Sequence, residues 1–295
     1  MNHPPAPIEP SLDPELIRND AARLAESPAA RILQQGDLEV LFFHRDEARS
    51  LFHELTRQRE ITFRHSKQGS GKARDETVED AWYQQLVLWD RSKGVIAGAY
   101  RVGFTADVLP HHGTSGMYLS HMFDFEPEFF TRDARAAELT RSFVSTAYQN
   151  DRVALPLLWQ GLGRIVCQHK IQRLFGSVTL SSEFSSDSRR LMTSWLKRHR
   201  NHPTGSLATA REPFPTDHPD VPDDASSIDV LRPMIVSRSG EPKPIPPLLR
   251  HYLSLGAVFH AFHLEASFGN AVYCLLEVDV ATMPPSHARR FLGRS

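Results

Sequence analysis

Residues 138–170 read ELTRSFVSTAYQNDRVALPLLWQGLGRIVCQHK, and the stretch changes character twice. Glu138 to Val144 reads as a short extended segment carrying one acid and one base, Glu138 and Arg141. Ser145 to Arg152 is a polar loop without glycine. Asn150 or Asp151 can then cap a helix, with Pro156 tolerated in or near its first turn. Leu155, Leu158, Trp159, Leu162, Ile165 and Val166 recur at three- and four-residue spacing and form its apolar stripe.

Upstream, Leu16, Ile17, Ala21, Leu24 and Ala25 mark one face of a short helix, after a Pro-rich start over residues 1–14 that reads as loose. With the piece from Pro28 to Gln35, this predicts a helical extension over 1–36. Its polar face is poor in Lys and Arg, so packing on the domain is preferred to lying on a membrane. Leu38 to Phe43 (LEVLFF) predicts a strand and Arg45 to Arg64 a helix. The Gly/Ser loop of residues 65–79 is long enough to suggest a function. Gln85 to Trp89 and Val95 to Val102 predict a hairpin, followed by turn signals over 103–120 and the aromatic run Met122 to Phe130.

Downstream, Leu174 to Leu180 predicts a strand and Ser186 to Arg198 a helix. Residues 201–227 read as a linker or long loop. Residues 246–255 predict a short helix, with extended runs at Ala257 to Leu264 and Ala271 to Val280. The expected organisation is an extension (1–36), a core (37–200), the linker, and a C-terminal part (228–295) that completes the same domain. Helices and strands at irregular spacing predict an α+β domain around one central sheet, and no GxGxxG follows a strand.

The composition is that of a globular protein, with 40% hydrophobic and 23% charged residues. Lys plus Arg number 34 against 35 Asp plus Glu, so no global field favours nucleic acid. Cys167 and Cys274 form neither a disulfide framework nor a zinc signature, which fits a reducing compartment. The N-terminal MNHPPAPIEPSLDPE lacks the basic and apolar regions of a signal peptide, so none is expected. Nowhere do about 18 apolar residues run together, so no membrane-spanning helix is expected.

REITFR (Arg59 to Arg64), AYRVG (Ala99 to Gly103) and ELTRSFV (Glu138 to Val144), with LLWQGLGR, LFGSVTLSS and PPLLRHYLSLGA, resemble the N-acyltransferases that make lyso-ornithine lipid. That group, often labelled putative hemolysins, belongs to the Gcn5-related N-acetyltransferase superfamily and is similar to the acyl-homoserine-lactone synthases. The resemblance covers roughly residues 38–200 and 245–293. It implies a Gcn5-related N-acetyltransferase-like central mixed sheet flanked by helices, with a C-terminal helix and two-strand extension. It also implies transfer of a 3-hydroxy fatty acyl group from an acyl carrier protein thioester to the α-amine of an amino acid, with ornithine as acceptor. Another acceptor amino acid, or a non-catalytic carrier- or lipid-binding module, are the alternatives. The implied location is cytoplasmic, with peripheral association at the inner membrane face left open.

Such a transfer needs a held donor, a polarised carbonyl, a neutral amine and a proton path. The superfamily generally works without a covalent acyl-enzyme, polarising the carbonyl with a backbone N–H of the 138–144 strand. Glu138 and Arg141 are three apart, which on a regular strand puts them on opposite faces; the resemblance implies a bulge there. Glu138 is then the candidate general base, and Arg141 either positions it or grips the substrate carboxylate. Substrate-binding candidates are Arg59 and Phe63, four apart on one helix face, together with Arg101, Asp75, Asp80 and Ser142. Asp75 and Asp80 would attract a cationic amine. The alternative for these charges is a set of ordinary buried ion pairs or a solvated loop.

Thr77 stands where that family has an acid, Gln85 where it has histidine, and Thr140 where it has glycine. The glycine-free loop after Val144 lacks the R/Q-x-x-G-x-G/A turn of acetyl-CoA enzymes. It is compatible with the phosphopantetheine of an acyl carrier protein, and no permanent cofactor or metal is expected. Because carrier proteins are acidic, Arg45, Arg49, Lys170, Arg173, Lys197 and Arg198 are docking candidates. No GxSxG elbow occurs; His111, His112 and His121 read as loop histidines rather than metal ligands.

Overall fold

A computed structural model describes residues 4–133, 135–223, 226–239 and 245–293. Residues 1–3 of the Pro-rich start, 224–225 of the expected linker, and 240–244 and 294–295 of the C-terminal part lie outside the described residues. In chain order the elements are α1 (Pro14–Glu26), β1 (Arg31–Gln35), β2 (Leu38–His44), α2 (Arg49–His65), β3 (Gln84–Asp90), β4 (Val95–Phe104), α3 (Thr105–His112), β5 (Phe123–Phe125) and α4 (Pro127–Thr131). They continue with β6 (Ala136–Val144), α5 (Ala154–Gln168), β7 (Arg173–Leu180), α6 (Ser186–His199), β8 (Ala208–Ala210), α7 (Arg232–Ser239), α8 (Pro247–Ser254), β9 (Val258–Glu265) and β10 (Ala271–Asp279). The expected α+β class, helices against sheet with a closing helix and strand pair, is what the chain forms.

Two compact units divide these elements: residues up to Met117 with Ala137–Ile171 and the stretch from Pro285, and a second made of Tyr118–Ala136 and Gln172–Pro284. In the first unit β1, β2, β3, β4 and β6 pair antiparallel in that order. β2 is buried on both faces, which its continuous apolar run requires. Leu41 and Phe43 join a core with Ile17, Ala21 and Leu24 of α1 and Leu51 and Leu55 of α2. Val40 lies under α5, where a Cβ on Gly161 would come within 2.6 Å of it; glycine lets helix and strand close up.

Several local expectations change. Residues 31–35 are an edge strand, not part of a helical extension: Gly36, at φ +60, lets the chain turn back so that β1 pairs with β2. Residues 4–13 are tied down, with Ala6 and Glu9 N–H donating to the carbonyls of Gly71 and Ala73, and Ser11 to Glu54. Within the turn-rich 103–120 stretch residues 105–112 are helical. α5 starts at Ala154, later than expected; the Asp151 carboxylate instead accepts from Val153 N–H at 2.6 Å.

The second unit pairs β7, β10 and β9 antiparallel, and β5 with β8. β8 lies inside the expected linker, which therefore contributes a strand. The aromatic run packs inward: Phe129 and Phe130 are buried, and Phe129 meets Phe175 of β7 edge-on at 5.2 Å.

Candidate active site

α2, the 75–81 loop, β3, β4 and β6 of the first unit converge on one buried charged cluster. Local sequence builds each arm. Arg59 lies on the inward face of α2 and is 1% exposed. Buried Glu60, its neighbour, organises the Gly/Ser loop by accepting from Ser70 N–H, Ser70 Oγ and Gly71 N–H at 2.8 to 2.9 Å. Asp75 N–H then donates to the Thr56 carbonyl at 3.0 Å, docking the loop on α2. Thr77 and Asp80 cap a short 3-10 turn reciprocally, Thr77 N–H donating to Asp80 Oδ2 at 2.9 Å.

The contacts form a continuous chain. Arg141 Nε lies 2.8 Å from Asp75 Oδ2. Arg59 Nη2 donates to the Asp75 carbonyl at 2.6 Å and to Asp80 Oδ2 at 3.1 Å. Arg101 Nη1 reaches the same Asp80 oxygen at 3.2 Å, and its guanidinium sits 5.2 Å from the Tyr83 ring centroid. Tyr83 Oη donates to the Glu138 carboxylate, which is wholly buried on β6. Arg141, Asp75, Arg59, Asp80, Arg101, Tyr83 and Glu138 are thus linked in sequence. Burial by itself would raise the Asp80 pKa, but the charges of Arg59 and Arg101 and the Thr77 N–H hold it well below the usual carboxylate range.

The bulge is present. Thr140 pairs with Arg101 and Phe143 with Ala99, so Arg141 and Ser142 together oppose Tyr100. Arg141 has φ +51, a left-handed conformation that is unusual for a side-chain-bearing residue. The extra residue breaks the regular alternation that would otherwise put Glu138 and Arg141 on opposite faces. Phe63 packs edge-on against Phe143 at 6.2 Å, while Ser142 is half-buried on the bulge.

The three positions that depart from the resembling family meet at this cluster. Thr77 Oγ1 accepts from Arg101 Nη1 at 2.7 Å, Thr140 Oγ1 accepts from Arg101 Nε at 3.0 Å, and Gln85 Nε2 donates to Asp80 Oδ1 at 3.1 Å. Sequence reasoning missed Tyr83 and what lets it reach Glu138. Gly103 is the cross-strand partner of Glu138, and a Cβ there would sit 2.3 Å from the Tyr83 ring. The glycine in AYRVG was the available signal.

Among the basic docking candidates, Arg173 is only 3% exposed and is bound by Asp133 and the Phe129 carbonyl, so it is not a surface residue. Arg45 pairs with Glu76, Arg49 with Asp46, Lys197 with Thr216 and Arg198 with Asp223; Lys170 is exposed. The 145–152 loop is held by Tyr148, whose hydroxyl donates to Asp90 at 2.5 Å and receives Lys93 at 3.2 Å.

A second buried cluster, which the sequence did not signal, lies in the other unit. Glu277 of β10 accepts from Arg132 and from Arg173 at 3.4 Å, and His260 Nε2 and His202 Nε2 lie 3.0 and 3.2 Å from its oxygens. Two histidines and a carboxylate at this spacing could hold a metal. Their hydrogen bonds fit poorly: His260 Nδ1 accepts from Leu207 N–H, which leaves the proton of its neutral ring on Nε2, facing Glu277. Two guanidinium groups further oppose a cation. His111 and His112, expected in a loop, end helix α3, and His112 stacks on Trp82 with ring centroids 4.1 Å apart.

Residues 58–160, which contain most of the first cluster, match the family described as acetyltransferase (GNAT) domain. The glycine N(alpha)-acyltransferase of Bacteroides thetaiotaomicron is 31% identical over 206 residues, 65% of this chain and 60% of that protein. The protein of the same name from Phocaeicola vulgatus is 27% identical over 266 residues, 84% of this chain and 81% of that one. The matching chain thus spans 60% of the length of the first of these relatives. The solved structure of the AHL synthase LasI aligns with 88% of this chain and 96% of its own at a TM-score of 0.44 and 13% identity, too distant to bear on function.

Proposed function

We propose that the chain is an N-acyltransferase that moves an acyl group from a thioester to the α-amine of an amino acid, with Glu138 as general base. The observation that carries this reading is the bulged β6: it brings a buried carboxylate and a left-handed arginine into one charged cluster, inside a segment matching an acetyltransferase domain. The amine nitrogen attacks the thioester carbonyl carbon, the new C–N bond forms, the C–S bond breaks, and Glu138 takes the amine proton while the thiolate leaves. In this reading a backbone N–H of β6 at the bulge polarises the carbonyl.

The reading of the acceptor is supported by which carboxylates have unused hydrogen-bonding capacity. Both Asp80 oxygens are engaged by Arg59, Arg101, Gln85 and Thr77, whereas neither oxygen of buried Asp75 accepts a side-chain or backbone hydrogen bond, and its Oδ2 is paired only by charge, with Arg141 Nε at 2.8 Å and Arg59 Nε at 3.6 Å. A single carboxylate with unused hydrogen-bonding capacity suits one ammonium group. This favours a small neutral amino acid such as glycine, the acceptor in the names of both relatives. Ornithine, with two ammonium groups, is the second reading, favoured by the REITFR and ELTRSFV resemblance. The donor is a 3-hydroxy fatty acyl group on the phosphopantetheine of an acyl carrier protein, a reading supported by the absence of glycine from the loop after β6. The site works without a permanent cofactor. No described helix is long and apolar enough to cross a membrane.

The test is an assay of thiol release and mass-spectrometric detection of product, using purified chain with acyl carrier protein or coenzyme A thioesters and either amino acid. N-acylglycine formation that is lost in Glu138→Gln supports the reading. An unchanged rate in Glu138→Gln, or no N-acyl product with any pairing, overturns it.

A further inference from the structure

Away from the charged cluster, the first unit contains a pocket of about 310 Å³ where α1 runs over the end of β2 and β3. Glu39 and Trp89 form its inner part. They are cross-strand partners, so their side chains emerge on the same sheet face. Trp89 is 2% exposed and Glu39 is 3% exposed. Among the described residues the Glu39 carboxylate neither accepts a hydrogen bond nor pairs with a cation. A nearly buried acid without a protein partner is uncommon, and this carboxylate is left to face the pocket.

The mouth of the pocket carries three arginines, Arg18, Arg31 and Arg91, and one exposed acid, Glu26. Arg18 is committed to the carbonyl oxygens of Arg91 and Lys93, at 3.5 and 3.0 Å, and Arg91 pairs with Asp37 at 3.2 Å. The exposed Arg31 guanidinium has neither a hydrogen bond nor an ion pair among the described residues. The pocket therefore offers an unneutralised acid at depth, an indole face beside it and an unneutralised base at the rim.

We propose that this pocket binds a small amphoteric molecule. Its ammonium or guanidinium end meets Glu39 against the face of Trp89, and its carboxylate end meets Arg31. The volume is at the lower end for small-molecule sites, so the occupant has the size of an amino acid. The competing arrangement is Arg31 folding inward onto Glu39, which would close the pocket.

Isothermal titration and ligand-observed NMR on the full chain decide between them, with L-lysine and ε-aminocaproate as probes and hexylamine and caproate as half-probes. The expected result is saturable binding of the two amphoteric probes, with each half-probe weaker by about tenfold or more. Glu39→Gln keeps the shape and removes the charge, so binding should weaken by about tenfold or more while the Tm holds or rises. Ala22→Trp, which fills the pocket from its exposed wall, should abolish binding, and it is the deciding variant if Glu39→Gln does not fold. No saturable binding of either amphoteric probe, caproate binding as tightly as ε-aminocaproate, or binding unchanged in the variants would each overturn the proposal.

Discussion

The hydroxyl of Tyr83 donates to the carboxylate of Glu138 across β4, through a gap that exists because Gly103 has no side chain. The phenol favours the ionised carboxylate, which is the form that can accept a proton. Tyr83→Phe removes one donor to that carboxylate and should lower kcat/KM and alter its pH profile. Glu138→Gln should lower kcat by about 10²- to 10⁴-fold with little change in Tm. A pH profile for Tyr83→Phe that superimposes on the wild type would show that the contact is only structural.

Gly103→Ala tests the same gap from the other strand. The added methyl would lie 2.3 Å from the Tyr83 ring, so the ring must leave Glu138. A loss of about 1–3 kcal/mol in urea unfolding is expected, together with a pH profile like that of Tyr83→Phe. Wild-type stability would mean that the strands part without strain.

Thr77 is where acceptor choice should be adjustable. Thr77→Asp places a further carboxylate beside Arg101 and Asp80, and should raise the ornithine-to-glycine ratio of kcat/KM by about tenfold, on the order of 1.4 kcal/mol. Thr77→Val keeps the shape but removes an acceptor for buried Arg101, with an expected loss of about 1–3 kcal/mol in stability. An unchanged substrate ratio in Thr77→Asp would remove the 75–80 loop from acceptor selection.

The Glu277 cluster predicts an acid-dependent loss of stability. Burial would raise this carboxyl, but His260, Arg173 and Arg132 bring it down from 4.5 to about 2. A depressed acid stabilises fully above its unfolded value, so the contribution is present above pH 4.5 and disappears as pH falls through about 2. It is worth roughly 3 kcal/mol by linkage. His202, whose pKa burial pushes below 6.5, adds a loss that begins nearer neutrality. In Glu277→Gln, urea unfolding between pH 2 and 4.5 should show a shallower pH slope, the remainder coming from other depressed acids such as Asp80 and Asp90, at a lower stability throughout. An unaltered slope would place the acid sensitivity elsewhere.

Much of the fold was legible in local pattern. The strand, loop and helix of residues 138–170 are there, because a strand and an apolar stripe are written within a few turns of chain. The pattern failed where distant contacts decide conformation. Residues 31–35 read ambiguously alone and become a strand because β2 offers an edge. The polar segment 201–227 contains β8 because β5 pairs with it.

The candidate site divides the same way. From sequence came the residue types, Glu138, Arg141, Arg59, Arg101, Asp75 and Asp80, on the strength of their motifs. The structure decided which carboxylate each arginine serves, that Tyr83 is the donor to Glu138, and that Arg173 is buried rather than on the surface. Periodicity reports which face a residue occupies, whereas an ion pair between residues such as Asp75 and Arg141 depends on how the loop and strand are placed in space. A bulge that turns Arg141 left-handed alters that placement without changing the hydrophobic pattern, so it becomes visible only once the strands are paired.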